Sequence, residues 1–475
     1  MPSIRRLSCA LLVASALAAV ALAGAVPAVA SHGETTYFDA TGQLLEAKSR
    51  QATFTQLKAF GVNALRVLLT WKNVAPAANS ATKPSFEATN PASYNWSAYD
   101  PVLEEAKRLH WSVLLTVTSP VPKWASSTHR DNVTRPNDRE FEEFMVAVGR
   151  HYGSEVSLWG IWNEPNQLAW LLPQFNHNGT PASPAIYRNL YLAAYSGLKK
   201  AGIASPRTLL GETAPFGETT VNPRREGLNH QVAPLAFLRG VLCLNSHYRP
   251  LAHCSPLPAT GYGHHAYPNA QGPSYQPPNH DQVTIGTLSR LTTALSKAAQ
   301  AHAIRGNPPI YLTEFGINTK PNPLGVSPAQ QAVFDALSEE IAWANPRVAA
   351  FGQYELRDDV VPKNHPRNWT GFQTGLETPS GQRKPLFSAF PVPLVVRKVK
   401  HGYALWGRVR PATGSTGVQV LVQASHGRRF KLLTTAHTNG SGYWQLKSSV
   451  SGTAWMVRWT SPSHVVFEGP PIPAT

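Results

Sequence analysis

Hydrophobic and polar positions along this chain fall into two regimes. From about residue 34 to residue 390, short apolar runs rich in β-branched and aromatic residues alternate with stretches of helical character. Such alternation predicts βα units around a parallel sheet. Eight runs qualify as strands: TTYFDA (35–40), ALRVLLTW (64–71), SVLLTVT (112–118), SLWGIWNE (157–164), RTLLGET (207–213), GYGHHAYP (261–268), PIYLTEF (309–315) and AAFGQYEL (349–356). Eight is the number that closes a (β/α)8 TIM barrel. The 35–40 run is the weakest and could equally form a hairpin at the barrel floor. Helices are expected near 52–60, 98–109, 184–201 and 282–304. Two more carry start signals: Asn137 with Glu140, and Ser327-Pro328 with Gln330.

Beyond residue 390 the pattern changes. PVPLVV (391–396) ends the alternation, and short period-two runs follow, broken by Gly, Ser and Asn turns. YALWGRVR, VQVLVQA, RFKLLTTA, YWQLK and AWMVRWT predict a small all-β sandwich. Trp455, Val457 and Trp459 share one face, so the tryptophans are expected inside and Arg458 outside. At the other end, Arg5 and Arg6 precede an Ala/Leu/Val-rich core that finishes in Ala28-Val29-Ala30, the pattern of a cleavable signal peptide. The expected organisation is a signal peptide (1–30), a barrel (31–390) and a basic C-terminal sandwich (391–475). No later run has the length of a membrane span, so a secreted, extracellular protein is expected.

Export changes the reading of the cysteines. Cys9 leaves with the signal, and Cys243 and Cys254 form an even pair in an oxidising compartment, read as one disulfide in preference to two free thiols. Charge is unevenly placed. The net +16 becomes +14 without Arg5 and Arg6, and residues 393–475 carry ten Lys/Arg against Glu468 alone. That tail reads first as a stabilising appendage with a solvated basic surface, and second as a docking module for an anionic polymer or cell-wall material. Nucleic acid is a poor third, since no recognition motif accompanies the charge.

Reactive groups of such barrels sit at the C-terminal ends of strands. Glu164 ends the fourth run and Glu314 the seventh, which sets two carboxylates nearly opposite each other at the barrel mouth. Hydrolysis of a glycosidic bond needs this pair: one protonates the departing oxygen, and the other attacks the anomeric carbon or activates water. The bland alternative for IWNEPN is a capping Asn and a solvent-facing Glu in an ordinary turn. For the adjacent His264 and His265, packing or a metal are the other readings, but no metal-ligand spacing accompanies them.

IWNEPN and YLTEFG resemble the acid/base and nucleophile motifs of the clan A glycoside hydrolases, the retaining (β/α)8 superfamily that includes families 5 and 39 and the cellulase-like proteins. The resemblance covers roughly residues 35–390. It implies that Glu164 is the general acid/base, Glu314 the nucleophile, and Asn163 the partner of the substrate 2-hydroxyl. Arg66 matches the arginine that the clan keeps beside its nucleophile. His265 and Tyr267 match an H-x-Y pattern, with the His facing the sugar and the Tyr donating to the nucleophile. The clan's tryptophan at the end of strand eight is absent; the chain reads FGQYELRDD there, and Tyr354 and Gln353 are the candidates to take its place.

Trp71, Trp124 and Trp170 lie on strand-end loops, where each is equally suited to stack on a sugar face or to pack in the core. The segments 72–95, 165–183, 214–232 and 268–281 are expected to wall the cleft. The expectation is thus a secreted retaining glycoside hydrolase acting on a β-linked polysaccharide, oligosaccharide or glycoside, without metal or organic cofactor. Two alternatives share the barrel: a catalytically silent carbohydrate-binding surface protein, and a transglycosylase using the same covalent intermediate.

Overall fold

A computed structural model describes residues 33–251, 254–362, 371–412, 414–424 and 429–475 of the chain; the expected signal peptide, 1–30, lies outside them. Eight parallel strands close a barrel in sequence order: β1 (Thr35–Asp39), β2 (Ala64–Thr70), β3 (Ser112–Thr118), β4 (Leu158–Ile161), β5 (Thr208–Thr213), β6 (Gly261–His264), β7 (Ile310–Leu312) and β8 (Val348–Tyr354). β1 pairs in parallel with both β2 and β8, so the 35–40 run is a barrel strand and not a hairpin.

Alternation along the strands sorts side chains into two cores. Leu65, Val67 and Leu69 of β2, with Val113, Leu115 and Val117 of β3, face outward and pack under the helices. Tyr37, Ala64, Leu114, Leu158, Leu209 and Ala350 face inward and plug the floor of the cylinder. Two residues further along, the inward positions become Asp39, Arg66 and Thr116, so the barrel interior turns from apolar to polar as it rises. This step sets a charged layer directly beneath the mouth.

Both helix-start signals are realised. Asn137 accepts the Glu140 N–H at 3.1 Å to open Asp138–Tyr152, and Ser327 and Gln330 form a reciprocal capping box before Pro328–Trp343. Cys243 and Cys254 are bridged, with a Cα separation of 6.1 Å. Among the described residues, no helix is long and apolar enough to cross a membrane.

The C-terminal part is all antiparallel. β9 (Leu394–Val399), β10 (Gly402–Arg408) and β13 (Tyr443–Ser448) make one sheet; β11 (Gly417–Gln423), β12 (Phe430–His437), β14 (Ala454–Thr460) and β15 (Val466–Glu468) make the other. Leu394, Val396 and Leu405 of the first meet Val420, Val422, Trp455 and Val457 of the second, as in a sandwich. The segment expected to end the barrel, PVPLVV, starts β9. Its other face, through Val395, packs on Ala336 of helix 328–343. A strand buried on both faces loses the polar alternation by which strands are recognised, so it did not read as one.

The basic tail is not simply a solvated surface. Arg408 and Arg410 are only 8% and 4% exposed. Both bind Glu339 of helix 328–343; Arg408 also donates to Thr36 Oγ1 at 2.8 Å and to the Glu34 carbonyl at 3.2 Å, and Arg410 to the Phe390 carbonyl. Tyr443 donates to Glu34 at 3.1 Å. Since Glu34 and Thr36 stand at the N-terminal end of β1, the C-terminal sheets brace the barrel floor, away from the mouth. Arg397 pairs with Glu340 and Arg458 with Glu468, while Lys398, Lys400, Lys431 and Lys447 remain exposed.

Candidate active site

The run SLWGIWNEP ends its ladder early, at Ile161. Trp162 and Glu164 then take left-handed backbone conformations, with φ of 70° and 40°, which turn the Glu164 side chain into the mouth. Such conformations are costly for non-glycine residues and need support. Here the Asn163 N–H donates to Thr118 Oγ1 and the Glu164 N–H to the Glu212 carbonyl, both at 3.0 Å. Asn166 fastens the following loop through the carbonyls of Ala214 and Val232. Glu314 lies two residues beyond β7.

Arg66 organises the charged layer. Its Nη1 donates to Asp39 at 2.8 Å and to Glu314 Oε2 at 2.7 Å, and its Nη2 to Asn163 Oδ1 at 2.5 Å and to Glu212 at 3.3 Å. Tyr267 donates to Glu314 Oε1 at 2.7 Å. His265 Nδ1 lies 2.9 Å from Glu164 Oε1 and 3.7 Å from Glu314 Oε2, and Gln167 donates to Glu164 Oε2 at 2.8 Å. The structure therefore brings Arg66, Asn163, Glu164, His265, Tyr267 and Glu314 into one cluster.

The two carboxyls are made unequal. Burial raises the pKa of Glu164, and the neighbouring Glu314 charge adds to this, against the opposing pull of His265 and Arg66. Burial also works against the Glu314 charge. His265, Arg66 and the Tyr267 hydroxyl overcome it, so Glu314 stays below its ordinary value. Burial disfavours a charged His265 ring, yet Glu314 and Glu164 raise its pKa, so the ring and Glu164 compete for one proton. The surroundings thus bias Glu164 toward its protonated form and Glu314 toward its ionised form, the direction of inequality that acid-assisted displacement uses.

The family model described as cellulase (glycosyl hydrolase family 5) matches residues 29–345. The chain belongs to glycosyl hydrolase family 5. No curated protein matches it. Among solved structures, a monomeric β-xylosidase from Caulobacter crescentus CB15 is similar at 14% identity and a TM-score of 0.51, over 94% of this chain and 95% of that one. A family 39 glycoside hydrolase from Bacteroides cellulosilyticus WH2 gives 13% and 0.51 over 87% and 81%. The GH39 enzyme of Xanthomonas axonopodis pv. citri gives 14% and 0.50 over 93% and 96%. At this identity the likeness shows the fold alone. The family 5 chain is an O-glycosyl hydrolase, and its substrate is a carbohydrate.

The family 5 site opens into a cleft lined by Ala40–Gln43 after β1, by Trp170, by Tyr354 at the end of β8, and by Glu355, Asp359 and Phe372 beyond it. Of the four segments expected to wall the cleft, only 165–183 contributes a lining residue here, Trp170. Of the two readings left open for Trp71, the structure takes core packing and not the sugar platform. Trp71 is 0% exposed and stacks on Phe144, with ring centroids 5.0 Å apart, in the aromatic core beneath the barrel helices. Trp124 is 5% exposed and sits edge-on to Trp71, its indole N–H donating to the Pro76 carbonyl at 3.1 Å. Large apolar rings this close to the helix Asp138–Tyr152 gain more by burial than by facing water. Tyr354 does line the cleft, whereas Gln353 turns its amide to the Tyr354 and Thr374 carbonyls.

His264 is a packing histidine. It bridges Thr213 Oγ1 at 2.9 Å and the Val283 carbonyl at 3.0 Å, and burial pushes its pKa down to about 3. Ligand atoms of Glu164, His265 and Glu314 lie within 4.8 Å of one another, a spacing that a cation could use. These atoms are already bonded to one another or to Arg66 and Tyr267, which a cation would have to displace.

Asp39, Glu212 and Glu355 escaped the sequence reading, although each is an acid at a strand end: FDA, GET and YEL. That position was the available signal. Neither Asp39 nor Glu212 stands in a recognised motif, and their link to Arg66 exists only once the barrel closes.

Proposed function

We propose that this family 5 hydrolase is exported and cleaves β-linked glycosidic bonds with retention, Glu314 as nucleophile and Glu164 as acid/base. The observation carrying this reading is the unequal carboxyl pair, whose oxygens approach within 4.8 Å. A retaining site needs a separation of about 5 Å, because the nucleophile itself must reach the anomeric carbon. Export draws support from the Arg5-Arg6 and Ala28-Val29-Ala30 pattern and from the Cys243–Cys254 bridge.

In the first step, Glu314 bonds to the anomeric carbon while Glu164 gives its proton to the departing oxygen. In the second, Glu164 takes a proton from water, the water oxygen bonds to the anomeric carbon, and Glu314 leaves as carboxylate. Because Arg66 can only donate, it fixes Asn163 with Oδ1 inward, which leaves the amide N–H groups for a sugar hydroxyl. Trp170, Tyr354 and Phe372 supply ring faces for the apolar side of a sugar.

The test combines NMR of the first-formed product anomer with two variants on an activated aryl β-glycoside. Glu164→Ala should form the covalent intermediate and stall, and added azide should release a glycosyl azide of retained configuration. Glu314→Ala with azide should give the inverted adduct. A first product of inverted configuration overturns retention, and exchanged adduct configurations reverse the two roles.

A further inference from the structure

Glu212 belongs to neither motif and yet is wired to both carboxyls. We propose that Glu212 is the positioning residue that couples them, holding the Glu164 backbone with its carbonyl and, through Arg66, the Glu314 carboxylate with its own. The inference rests on the roles assigned above to Glu164 and Glu314.

The arrangement starts with an irregularity in β5. Gly211 pairs with Gly263 and Thr213 with His264, so the ladder to β6 skips Glu212. Glu212 takes a left-handed φ of 46°. A skipped residue has its carbonyl free of the neighbouring ladder. Here that carbonyl turns to β4 and accepts the Glu164 N–H at 3.0 Å. The side chain turns into the barrel, where Oε1 accepts from Thr116 Oγ1 at 3.2 Å and Oε2 meets Arg66 Nη2 at 3.3 Å. Gly263 makes the room: a Cβ there would lie 2.5 Å from Glu212 Cγ.

Packing alone does not account for this residue. Glu212 is 0% exposed. A carboxylate buried beneath two others is unfavourable, and an apolar side chain would fill the space without that cost. Adding a left-handed backbone makes the position doubly costly. Costs concentrated next to reacting groups point to function more than to stability.

Charge gives the proposal a measurable signature. Asp39 of β1, Arg66 of β2, Glu164 after β4, His265 and Tyr267 after β6, and Glu314 after β7 all face this layer; β3 contributes the uncharged Thr116. Glu355 and Asp359 approach from the β8 side. Arg66 is the guanidinium shared by Asp39, Glu212 and Glu314. Without the Glu212 charge, Arg66 acts more strongly on Glu314, and one repulsion on Glu164 disappears. Both carboxyls then ionise at lower pH.

The test is the pH profile of kcat/KM for wild type, Glu212→Gln and Thr116→Val, together with 13C NMR titration of the glutamate carboxyls. Glu212→Gln is expected to move both limbs, and the Glu164 and Glu314 midpoints, to lower pH by about one unit. Thr116→Val keeps the charge but loosens the carboxylate, so kcat should fall with the limbs unmoved. If Glu212→Gln fails to fold, the Thr116→Val result decides alone, and wild-type kcat in that variant overturns the coupling. Limbs and midpoints unmoved in a folded Glu212→Gln overturn it equally. A wild type that hydrolyses no glycoside would sink the functional reading, while the NMR midpoints would still decide the coupling.

Discussion

His265 stands 2.9 Å from Glu164 and 3.7 Å from Glu314, so one imidazole faces both carboxyls of the site. Its two contacts are unequal, and so are their effects. Burial and the Glu314 charge push the nearer carboxyl up against the pull of the ring, while the ring, Arg66 and the Tyr267 hydroxyl pull the farther one down. Two carboxyls shifted in opposite directions are thereby held side by side in one buried layer.

The Tyr267 hydroxyl is one of the groups that keep Glu314 ionised. Tyr267→Phe should therefore raise the Glu314 pKa and move the acidic limb of kcat/KM to higher pH. Losing a hydrogen bond to a charged group costs ~1.5–3 kcal/mol, or about tenfold to a hundredfold in kcat/KM. The pH–rate profile of the variant checks both.

Trp71 and Trp170 should separate by assay. Trp71→Ala empties a fully buried site and should cost ~3–5 kcal/mol in denaturant unfolding. Trp170→Ala should leave the fold largely intact and raise KM about three- to tenfold, the worth of one stacked ring. Equal stability losses would return Trp170 to the core.

Glu355 tests linkage. Burial, with Asp359 and Asp358 adding to it, pushes its carboxyl up to about 10, and Oε1 has no hydrogen-bond partner among the described residues. The folded state thus keeps a proton that the unfolded chain releases above its ordinary value, so this group makes stability fall as pH rises between the two. Glu355→Gln removes that slope. Its Tm advantage over wild type should be small near pH 5 and reach about 2 °C or more near pH 9, by calorimetry.

The C-terminal sheets should not be removable at no cost. Ending the chain near residue 391 strips Arg408 and Arg410 from buried Glu339 and uncovers Ala336 and Trp343. Arg410→Met alone, which leaves Glu339 with one partner fewer, should lose about 3–5 kcal/mol. Denaturation of this variant and of the truncated protein checks the brace; unchanged midpoints would make the sheets a passive appendage.

Much of this was legible in the chain. Eight apolar runs, the caps at Asn137 and Ser327, and the two glutamate motifs depend on local periodicity and strand-end position, which survive in a linear sequence. So does the even cysteine pair. The sequence also marked Arg66, Asn163, His265 and Tyr267 as site residues. Only tertiary structure decided which strand-end aromatics face the cleft, because burial depends on neighbours far along the chain: Trp71 lies against Phe144, and Trp170 lines the cleft that Glu164 also lines. It likewise sent Arg408 and Arg410 inward to Glu339, although the count of basic residues had suggested a solvated face. Asp39 and Glu212 gain meaning only when barrel closure sets them against Arg66, since a buried charge is defined by its partners and those come from other strands.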